Sequence, residues 1–364
     1  MSTFAIITPQ DNNNYGNRLQ NYALNSILSK YGEGRTVKVL VPTGSLAGYI
    51  KSSIRGPIKQ IKATLESPIS KKERCELGRM RSFNRFNCRI PYMTGRMSSY
   101  RGWEVEESKL PDYVVVGSDQ VWNYSWLSND DLALYLGRYV GGRSRLISYA
   151  ASLGINHIDE EKEPLFKNLI LRFHKVSVRE YRAAAEIERV AGISATTVLD
   201  PTLLLSQAEW ESVFRGFSSS TDKYILTYFL GTITTELEEL INDMARSRRC
   251  TVKRLLDLSD QETYCAGPDD FVELIANAEV ILTDSYHACC FSLLFEKEFY
   301  VFDRAGIKSS GCMNSRMETL SSLLKVDTMI NNSTDTFNIN WTKTSCLLKE
   351  HRKRSIEWIQ SAIY

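Results

Sequence analysis

The stretch ILTDSYHACCFSLLF at 281–295 places Asp284, Ser285 and His287 between an apolar strand and an apolar helix. In a doubly wound sheet, ligands bind outside the carboxyl ends of the strands, where helix N-termini present amides that favour phosphate or carboxylate. Histidine adds a group that titrates near neutral pH. The pattern therefore predicts an anion site with an acid–base group. The alternative is structural: Asp284 or Ser285 caps the helix, and His287 is a buried ring with satisfied hydrogen bonds.

Three further segments have the same order of apolar strand, polar turn and helix: YVVVGSDQVWN at 113–123, TPQDNNNYGNRLQNYAL at 8–24 and KVSVREYRAAAEI at 175–187. In the second segment, Gly16 precedes the helix. Arg18 either binds a phosphate through two N–H groups or is a surface residue of that helix. In the third, Arg179 ends the strand, where it could clamp a carboxylate or phosphate, or pair with Glu180. Because four such turns occur in one chain, we expect them to meet in one cleft.

Several other chemistries are disfavoured by what the sequence lacks. No G-x-S-x-G elbow occurs, so a catalytic triad of Ser285 with His287 is not indicated. Neither a G-x-G-x-x-G fingerprint nor a P-loop is present. His287 has no second metal ligand at a recognisable spacing, and the paired Asp269-Asp270 is typical of a first helical turn. We therefore predict neither a metal site nor a cofactor.

The elements that position these turns alternate along the chain. Short β-rich runs precede helical patterns, which indicates parallel sheets with helices on both faces. A Lys- and Arg-rich stretch at about 45–105 reads as a helical insertion, and its basic face is either solubilising or an attraction for an anionic substrate at a membrane surface. The predicted domains are 1–215, carrying that insertion, and 222–340, followed by a terminal helix at 345–364.

Length and charge set the outer limits. A chain of 364 residues with 43% hydrophobic content is large enough for two domain-sized cores. The formal net charge of +2 gives no global field for nucleic acid or an anionic membrane. The eight cysteines show no C-x-x-C spacing, and the first residues lack a secretory pattern. These features favour a cytoplasmic protein. They also favour small-molecule binding partners over nucleic acid.

Read together and in order, the motifs resemble the polysaccharide pyruvyl transferase family. They are DNNNYGNRLQNYAL, VVVGSDQVWN, ISYAASLG, VSVRE, VLDPTLLL, GPDDFVELIANAEVILTDSYHACCFSLLFEKEFYVF and SRMETLSSLL. The resemblance implies two Rossmann-like domains facing a cleft, similar to GT-B glycosyltransferases. It also implies transfer of a pyruvyl group from phosphoenolpyruvate, as co-substrate, to a sugar, with a pyruvate ketal as product and phosphate released.

The resemblance also assigns roles to residues. It implies His287 as the catalytic or donor-binding histidine and Arg179 as a donor-binding arginine. Ser285 is also expected to bind the donor, through the backbone amides that begin the helix. Some members carry arginine where this chain has Ser285, so Lys308 or Arg316 is expected to supply that charge. The residues assigned to the acceptor sugar or to the shape of the cleft are Asn14, Asn17, Arg18, Ser118, Asp119 and Gln120.

The expected acceptor is a lipid-linked oligosaccharide used in surface polysaccharide biosynthesis, with the protein in the cytoplasm or at the inner face of the membrane. Two other functions stay open. A nucleotide-sugar glycosyltransferase would share the two-domain cleft and would need contacts for a nucleobase and ribose. A non-catalytic sugar-binding module would keep its function after replacement of His287.

Overall fold

The computed structural model describes residues 1–40, 70–99, 102–104, 110–217, 222–304, 311–326 and 338–364. Two sheets organise these residues, one of eight strands and one of four. Neighbouring strands pair in parallel throughout, except that β3 and β4 are antiparallel. The predicted α/β class with two Rossmann-like halves is confirmed.

The first sheet has the order β4-β3-β2-β1-β5-β6-β7-β8. Its strands are β1 (Ser2–Ile7), β2 (Gly32–Leu40), β3 (Tyr92–Ser98), β4 (Gly102–Glu104), β5 (Tyr113–Val116), β6 (Arg145–Ala151), β7 (Lys175–Val178) and β8 (Thr196–Thr197). Its helices are α1 (Tyr15–Leu28), α2 (Lys71–Asn87), α3 (Asn129–Tyr135), α4 (Glu163–Ile170) and α5 (Tyr181–Ala191). A 3₁₀ turn (Pro201–Leu203) and α6 (Gln207–Glu211) lead out of this half.

The second sheet has the order β10-β9-β11-β12. Its strands are β9 (Tyr224–Tyr228), β10 (Thr251–Leu255), β11 (Val280–Thr283) and β12 (Glu298–Val301). The helices that follow are α7 (Thr235–Arg248), α8 (Gln261–Tyr264), α9 (Pro268–Asn277), α10 (Tyr286–Leu294), α11 (Gly311–Leu324) and α12 (Trp341–Ile363).

Each sheet has a point where the chain reverses its direction of travel across the strands. In the first sheet the chain moves outward from β1 to β3 and then returns to β5 on the other side of β1. In the second sheet, β9 leads to β10 on one side, and β11 leads to β12 on the other. Such switch points open a crevice outside the carboxyl ends of the strands, where α/β proteins bind ligands.

The two halves share a continuous apolar core. Tyr15 of α1 stacks on Phe271 of α9 at 4.7 Å between ring centroids, and Trp210 of α6 meets Phe291 of α10 edge-on at 5.1 Å. Buried aromatic pairs of this kind contribute about 0.5–1.5 kcal/mol each beyond their area. This core holds the carboxyl ends of the two sheets against each other.

The expected helical insertion at 45–105 is only partly helical. Residues 41–69 lie outside the described residues. Lys71–Asn87 is a helix that begins with a capping box between Ser70 and Glu73. However, 92–98 and 102–104 are strands that extend the first sheet, so the prediction was wrong there. The side chains of β3 alternate between buried and exposed in part, which is how an outer strand accommodates charged residues.

Helix α2 does more than present a basic face to solvent. Its Arg79 guanidinium lies over the rings of Tyr15 and Phe83, at 4.4 and 4.7 Å from their centroids. Its Arg85 donates from Nη2 to Asp269 and Asp270 of α9, both at 3.1 Å. The helix therefore connects the first half of the chain to the second.

The terminal helix α12 returns to the first sheet. The Ile363 carbonyl accepts a hydrogen bond from the Tyr113 hydroxyl, and Lys175 donates to the Ser361 carbonyl at 2.7 Å. Tyr113 and Lys175 begin β5 and β7, so α12 lies at the end of the sheet opposite the predicted cleft. It supports the fold and leaves the carboxyl ends of the strands open.

Candidate active site

The four polar turns predicted from the sequence converge at the switch points of the two sheets. One close approach joins α1 of the first half to α10 of the second. A Cβ atom on Gly16 would lie 1.9 Å from Nδ1 of His287, so only glycine leaves room for the ring. Helix α1 begins at Tyr15, so Gly16 lies in its first turn and does not precede the helix as predicted. There it leaves the space that the His287 ring of the opposite half occupies.

Asp200 links His287 to Arg179. Arg179 donates from Nη1 to Asp200 Oδ2 at 2.7 Å, and His287 Nε2 lies 3.6 Å from the same oxygen, beyond hydrogen-bond distance. The other carboxylate oxygen accepts from the amide and hydroxyl of Thr202, at 2.9 and 2.7 Å. Asp200 precedes Pro201 at the start of the 3₁₀ turn, so its side chain is fixed by local backbone as well as by charge.

The charges at this junction are strongly coupled because they are buried together. Burial alone would raise the pKa of Asp200, but His287 and Arg179 outweigh it and hold the pKa far below the usual value. Burial would likewise lower the pKa of Arg179, yet Asp200 and the neighbouring acidic groups raise it. Asp200 is therefore ionised at all physiological pH values, and it forms an ion pair with the protonated guanidinium of Arg179.

Asp119 brings the turn after β5 into the same site. It accepts from Asn17 Nδ2 at 2.9 Å, and its other oxygen lies 3.9 Å from Arg179 Nη2. Burial opposes its ionisation, but Arg179 and His287 hold its pKa below the usual value. Its φ of 73° is in the left-handed region, which costs free energy for a non-glycine residue and is typical of functional turns.

A second guanidinium lies beside the first. The Tyr286 ring has Arg179 at 4.6 Å and Arg316 at 5.7 Å from its centroid. With its amide turned so that both neighbours are satisfied, Gln120 accepts from Arg316 Nη2 at 2.9 Å. Burial, reinforced by the like charge of Arg179, lowers the pKa of Arg316 to about 10. Two buried guanidiniums thus share one aromatic ring.

Several buried side-chain nitrogens around this ring have no hydrogen-bond partner among the described residues. They are Nε and Nη2 of Arg179, Nε of Arg316 and Nε2 of His287. Buried polar atoms are nearly always hydrogen-bonded in folded proteins, and exceptions mark functional positions or a missing ligand. Donors on two cations and a histidine fit a ligand with several anionic oxygens. The arrangement can therefore bind a polyanion and place an acid–base group beside it.

The turn before α10 differs from the predicted cap. Ser285 occupies the N-cap position without a side-chain hydrogen bond to the helix. Asp284 instead accepts from the amides of Leu230 and Gly231, at 2.8 and 2.7 Å, and lies 3.4 Å from Arg304 Nε. The prediction that Asp284 or Ser285 caps α10 through its side chain was wrong, because Asp284 is used to close the loop after β9.

Arg18 takes neither of its two predicted roles. It is fully buried rather than on the helix surface. Its guanidinium donates to Asn17 Oδ1, to the Tyr92 hydroxyl and to the Pro9 carbonyl, at distances from 2.8 to 3.1 Å. With its donors engaged in this way, Arg18 braces the turn after β1 and is not placed as a phosphate fork.

The remaining candidate residues support the turns. Asn14 caps α1, and its side chain accepts from the Asn17 amide at 3.1 Å. The Ser118 hydroxyl donates to the Ala150 carbonyl at 3.1 Å and lies 3.4 Å from Asp200. Lys308 lies outside the described residues.

Sequence reasoning missed three residues of the site: Asp200, Tyr286 and Glu180. Asp200 follows an apolar run and precedes a proline, the same order of strand-like run and polar turn that marked the other segments. Tyr286 lies between Ser285 and His287, and Glu180 directly follows Arg179. Adjacency to predicted residues was the available signal for the last two.

The described residues contain no cluster of His, Cys, Asp and Glu side chains suited to hold a metal ion. Within the same part of the chain, none of the helices combines the length and apolar character needed to cross a lipid bilayer.

Two Rossmann-like halves that meet at a buried, positively charged junction are typical of enzymes that bind anionic substrates. The family described as Polysaccharide pyruvyl transferase matches residues 14–306. The chain belongs to the polysaccharide pyruvyl transferase family, which confirms the resemblance predicted from the ordered motifs.

Solved structures similar to this chain include three proteins that each match over most of its length. The UDP-GlcNAc 2-epimerase from Methanocaldococcus jannaschii has 12% identity and a TM-score of 0.47, covering 95% of this chain and 92% of its own. The S. aureus MnaA-UDP structure has 12% identity and a TM-score of 0.47, with 98% and 90% covered. The E. coli ADP-heptose lps heptosyltransferase II has 12% identity and a TM-score of 0.30, with 82% and 84% covered. No curated protein matches the chain at a significant level.

Proposed function

We propose that this transferase moves a pyruvyl group from phosphoenolpyruvate to a sugar, forming a pyruvate ketal on two hydroxyls and releasing phosphate. The observation that carries the proposal is the buried pair Arg179 and Arg316, whose unused donors lie beside His287. Phosphoenolpyruvate has a phosphate and a carboxylate, so it calls for more than one bidentate cation. The uncapped N-terminus of α10 supplies amides that favour the same anionic groups.

The reaction requires two hydroxyl protons to be moved. The first sugar hydroxyl attacks C2 of the enol phosphate while C3 gains a proton and becomes a methyl group. The bond between C2 and the phosphate oxygen then breaks, and the second hydroxyl closes the ketal at C2. One hydroxyl proton is balanced by the new methyl hydrogen and the other by the phosphate that leaves as hydrogen phosphate. General acid–base catalysis of such steps contributes about 10²–10⁴-fold in rate.

His287 is suited to this proton transfer. Its Nε2 has no hydrogen-bond partner among the described residues, and Asp200 lies 3.6 Å away as a fixed anion. A neighbouring carboxylate stabilises the imidazolium that forms when the ring accepts a hydroxyl proton. The absence of a side chain at Gly16 leaves room for the ring at this position. His287 therefore accepts a proton from a sugar hydroxyl and returns it to the departing phosphate.

We place the acceptor sugar against the turn after β5. Asp119 is partly accessible, with 17% of its side chain exposed, and Gln120 already contacts Arg316. Carboxylate and amide groups at that position can accept hydrogen bonds from sugar hydroxyls. The acceptor we propose is a lipid-linked oligosaccharide, met in the cytoplasm or at the inner face of the membrane during surface polysaccharide synthesis. Salt-dependent association with anionic vesicles would support the membrane part, and salt-insensitive association or none would refute its electrostatic basis.

The test is phosphate release from phosphoenolpyruvate with a panel of lipid-linked and synthetic glycosides. The proposal expects release that depends on the acceptor and falls at least 10²-fold in His287→Ala and Arg179→Ala, about the contribution of one acid–base group. Arg246→Ala, whose side chain is 79% exposed on α7, is the matched control and should match the wild type. Consumption of a nucleotide sugar with no phosphoenolpyruvate turnover would refute the donor and favour glycosyl transfer.

A further inference from the structure

Glu180 occupies a helix-capping position without capping. It is the N-cap residue of α5, yet its side chain makes no hydrogen bond to that helix. Ser, Thr, Asp and Asn are the residues preferred at this position, because their short side chains reach the first amides. The Glu180 side chain instead turns into the protein, where the residue is 1% exposed. Its location is therefore not explained by helix formation.

One of the two carboxyl oxygens of Glu180 has a hydrogen-bond partner among the described residues, and the other has none. The Ser152 hydroxyl at the end of β6 donates to Oε1, while Oε2 has no hydrogen-bond partner in the part of the chain that the structure describes. A buried polar atom of this kind costs about 1–3 kcal/mol. Such a cost is typical of a group retained for its chemistry rather than for stability.

The charged groups that face Glu180 are those of the donor site. Arg179 precedes it in the chain, and Arg316 approaches from α11. Asp119, in the turn after β5, lies in the field of the same two guanidiniums. Burial raises the pKa of Glu180 above its usual value, against the pull of Arg179, the Ser152 hydrogen bond and Arg316. Of the carboxyl groups at this junction, Glu180 is the one that is held toward its protonated form, while Asp119 and Asp200 are held ionised.

We propose that Glu180 is a second acid–base residue of the site, which donates the proton that converts the methylene carbon of phosphoenolpyruvate into a methyl group. The proposal rests on the proposed function. The observation behind it is a buried carboxyl with a free oxygen beside the two guanidiniums that bind the donor.

The proton transfers balance over one catalytic cycle when His287 and Glu180 act in turn. Glu180 gives its proton to C3 as the first hydroxyl attacks C2, and that hydroxyl passes its proton to the His287 ring. The bond from C2 to the phosphate oxygen breaks, and His287 gives its proton to the departing phosphate. The second hydroxyl then forms its bond to C2 and returns a proton to the Glu180 carboxylate. Both residues end the cycle as they began, and no oxidant or further reactant is needed.

Donor binding itself prepares Glu180 for this role. In the free protein the two guanidiniums favour the ionised carboxylate. When the phosphate and carboxylate of phosphoenolpyruvate engage those guanidiniums, their charge no longer stabilises the Glu180 anion, and the added negative charges oppose it. The carboxyl group therefore takes up a proton at the moment when the substrate needs one.

The experiment compares Glu180→Gln with the wild type, because the amide keeps the volume and can still accept from Ser152 but cannot donate a proton to carbon. We expect kcat to fall about 10²–10⁴-fold, with the KM for phosphoenolpyruvate within threefold. In the wild type, kcat should fall as pH rises through the pKa of protonated Glu180, and this alkaline limb should be absent in Glu180→Gln. Ser152→Ala serves as the control for the hydrogen bond and should keep the limb.

A Glu180→Gln variant with wild-type kcat and an unchanged pH profile would overturn the inference. So would a variant whose lost activity comes with lost donor binding and an unchanged profile, since the role of Glu180 would then be structural. These outcomes differ from a failure of the proposed function, in which the wild type itself would release no phosphate with any acceptor.

Discussion

Replacing Asp200 with asparagine would test the charge coupling at the centre of the site. The carboxylate accepts from Arg179 at 2.7 Å and faces His287 at 3.6 Å, and both partners are buried. Removing one member of a buried ion pair leaves an uncompensated charge and costs about 3–5 kcal/mol. The asparagine oxygen can still accept from Arg179, so we expect about 3 kcal/mol, the lower end of that range.

The pH dependence of this loss follows from the sign of the pKa shift. The folded protein holds the pKa of Asp200 far below its unfolded value of about 3.9, so its contribution is complete above that value. The contribution is lost as pH falls toward the folded pKa. The difference in unfolding free energy between wild type and Asp200→Asn should therefore be full at neutral pH and shrink below about pH 4.

Chemical denaturation of both proteins at several pH values gives this difference directly. Asp243→Asn is the matched control, because Asp243 pairs with Arg246 on the surface with 65% of its side chain exposed. Such surface changes are usually within about 0.5 kcal/mol. A loss below about 1 kcal/mol at neutral pH, smaller than any buried-pair value, would refute the coupling. An equal loss at acidic and neutral pH would refute its electrostatic origin.

Two other substitutions probe the contacts between the halves. Gly16→Ala should reduce kcat about 10²-fold, the loss expected from misplacing a catalytic group, because the added methyl would overlap the His287 ring. Gly141→Ala, which has open space around it, should leave kcat unchanged, and equal rates in both variants would contradict the contact. Arg85→Ala should lower the free energy of unfolding by about 2 kcal/mol, because Asp269 loses its cation while Asp270 retains Arg215 at 3.5 Å. This value is below the roughly 3–5 kcal/mol of a fully buried pair because the Arg85 side chain is 36% exposed. Denaturation should show no comparable loss for Arg246→Ala, and a similar effect of both would mean that α2 does not secure the second half.

Much of the site could be predicted because each part depends on local sequence. An apolar run followed by a polar turn and a helix identified the segments of Asp119, Arg179 and His287 without any tertiary information. Convergence of these segments followed from the parallel topology, which brings the carboxyl ends of strands to one edge. The structure places all three within one charged cluster.

The features that the sequence could not predict depend on contacts between residues that are far apart in the chain. Arg18 looks like a surface residue because it is charged and near a helix start, yet acceptors from Pro9 and Tyr92 surround it in the fold. The cap predicted for α10 failed because Asp284 is used by the loop at Leu230 and Gly231. Neither set of contacts can be predicted from the residues that are adjacent to Arg18 or Asp284 in the sequence.

Two of the strands missed by sequence reasoning are β10, at the edge of the second sheet, and β3, next to the edge strand β4 of the first sheet. β10 reads TVKRL and β3 reads YMTGRMS, and both include charged residues where a buried parallel strand would be apolar. Strands at or next to an edge are partly exposed to solvent and commonly carry such charges, so their apolar signal is weak. The central strands were recognised because both of their faces are buried, which gives a continuous apolar run.

The most direct test of the central claim is transfer of labelled carbon from phosphoenolpyruvate to a glycoside, followed by NMR in wild type and His287→Asn. Phosphoenolpyruvate labelled at C2 should yield an acceptor whose new ketal carbon carries the label, with one phosphate released per ketal. His287→Asn should bind the donor and form product at least about 10²-fold more slowly, as expected for loss of an acid–base group. Labelled carbon that never enters the acceptor, or equal rates in the two proteins, would contradict a pyruvyl transfer centred on His287.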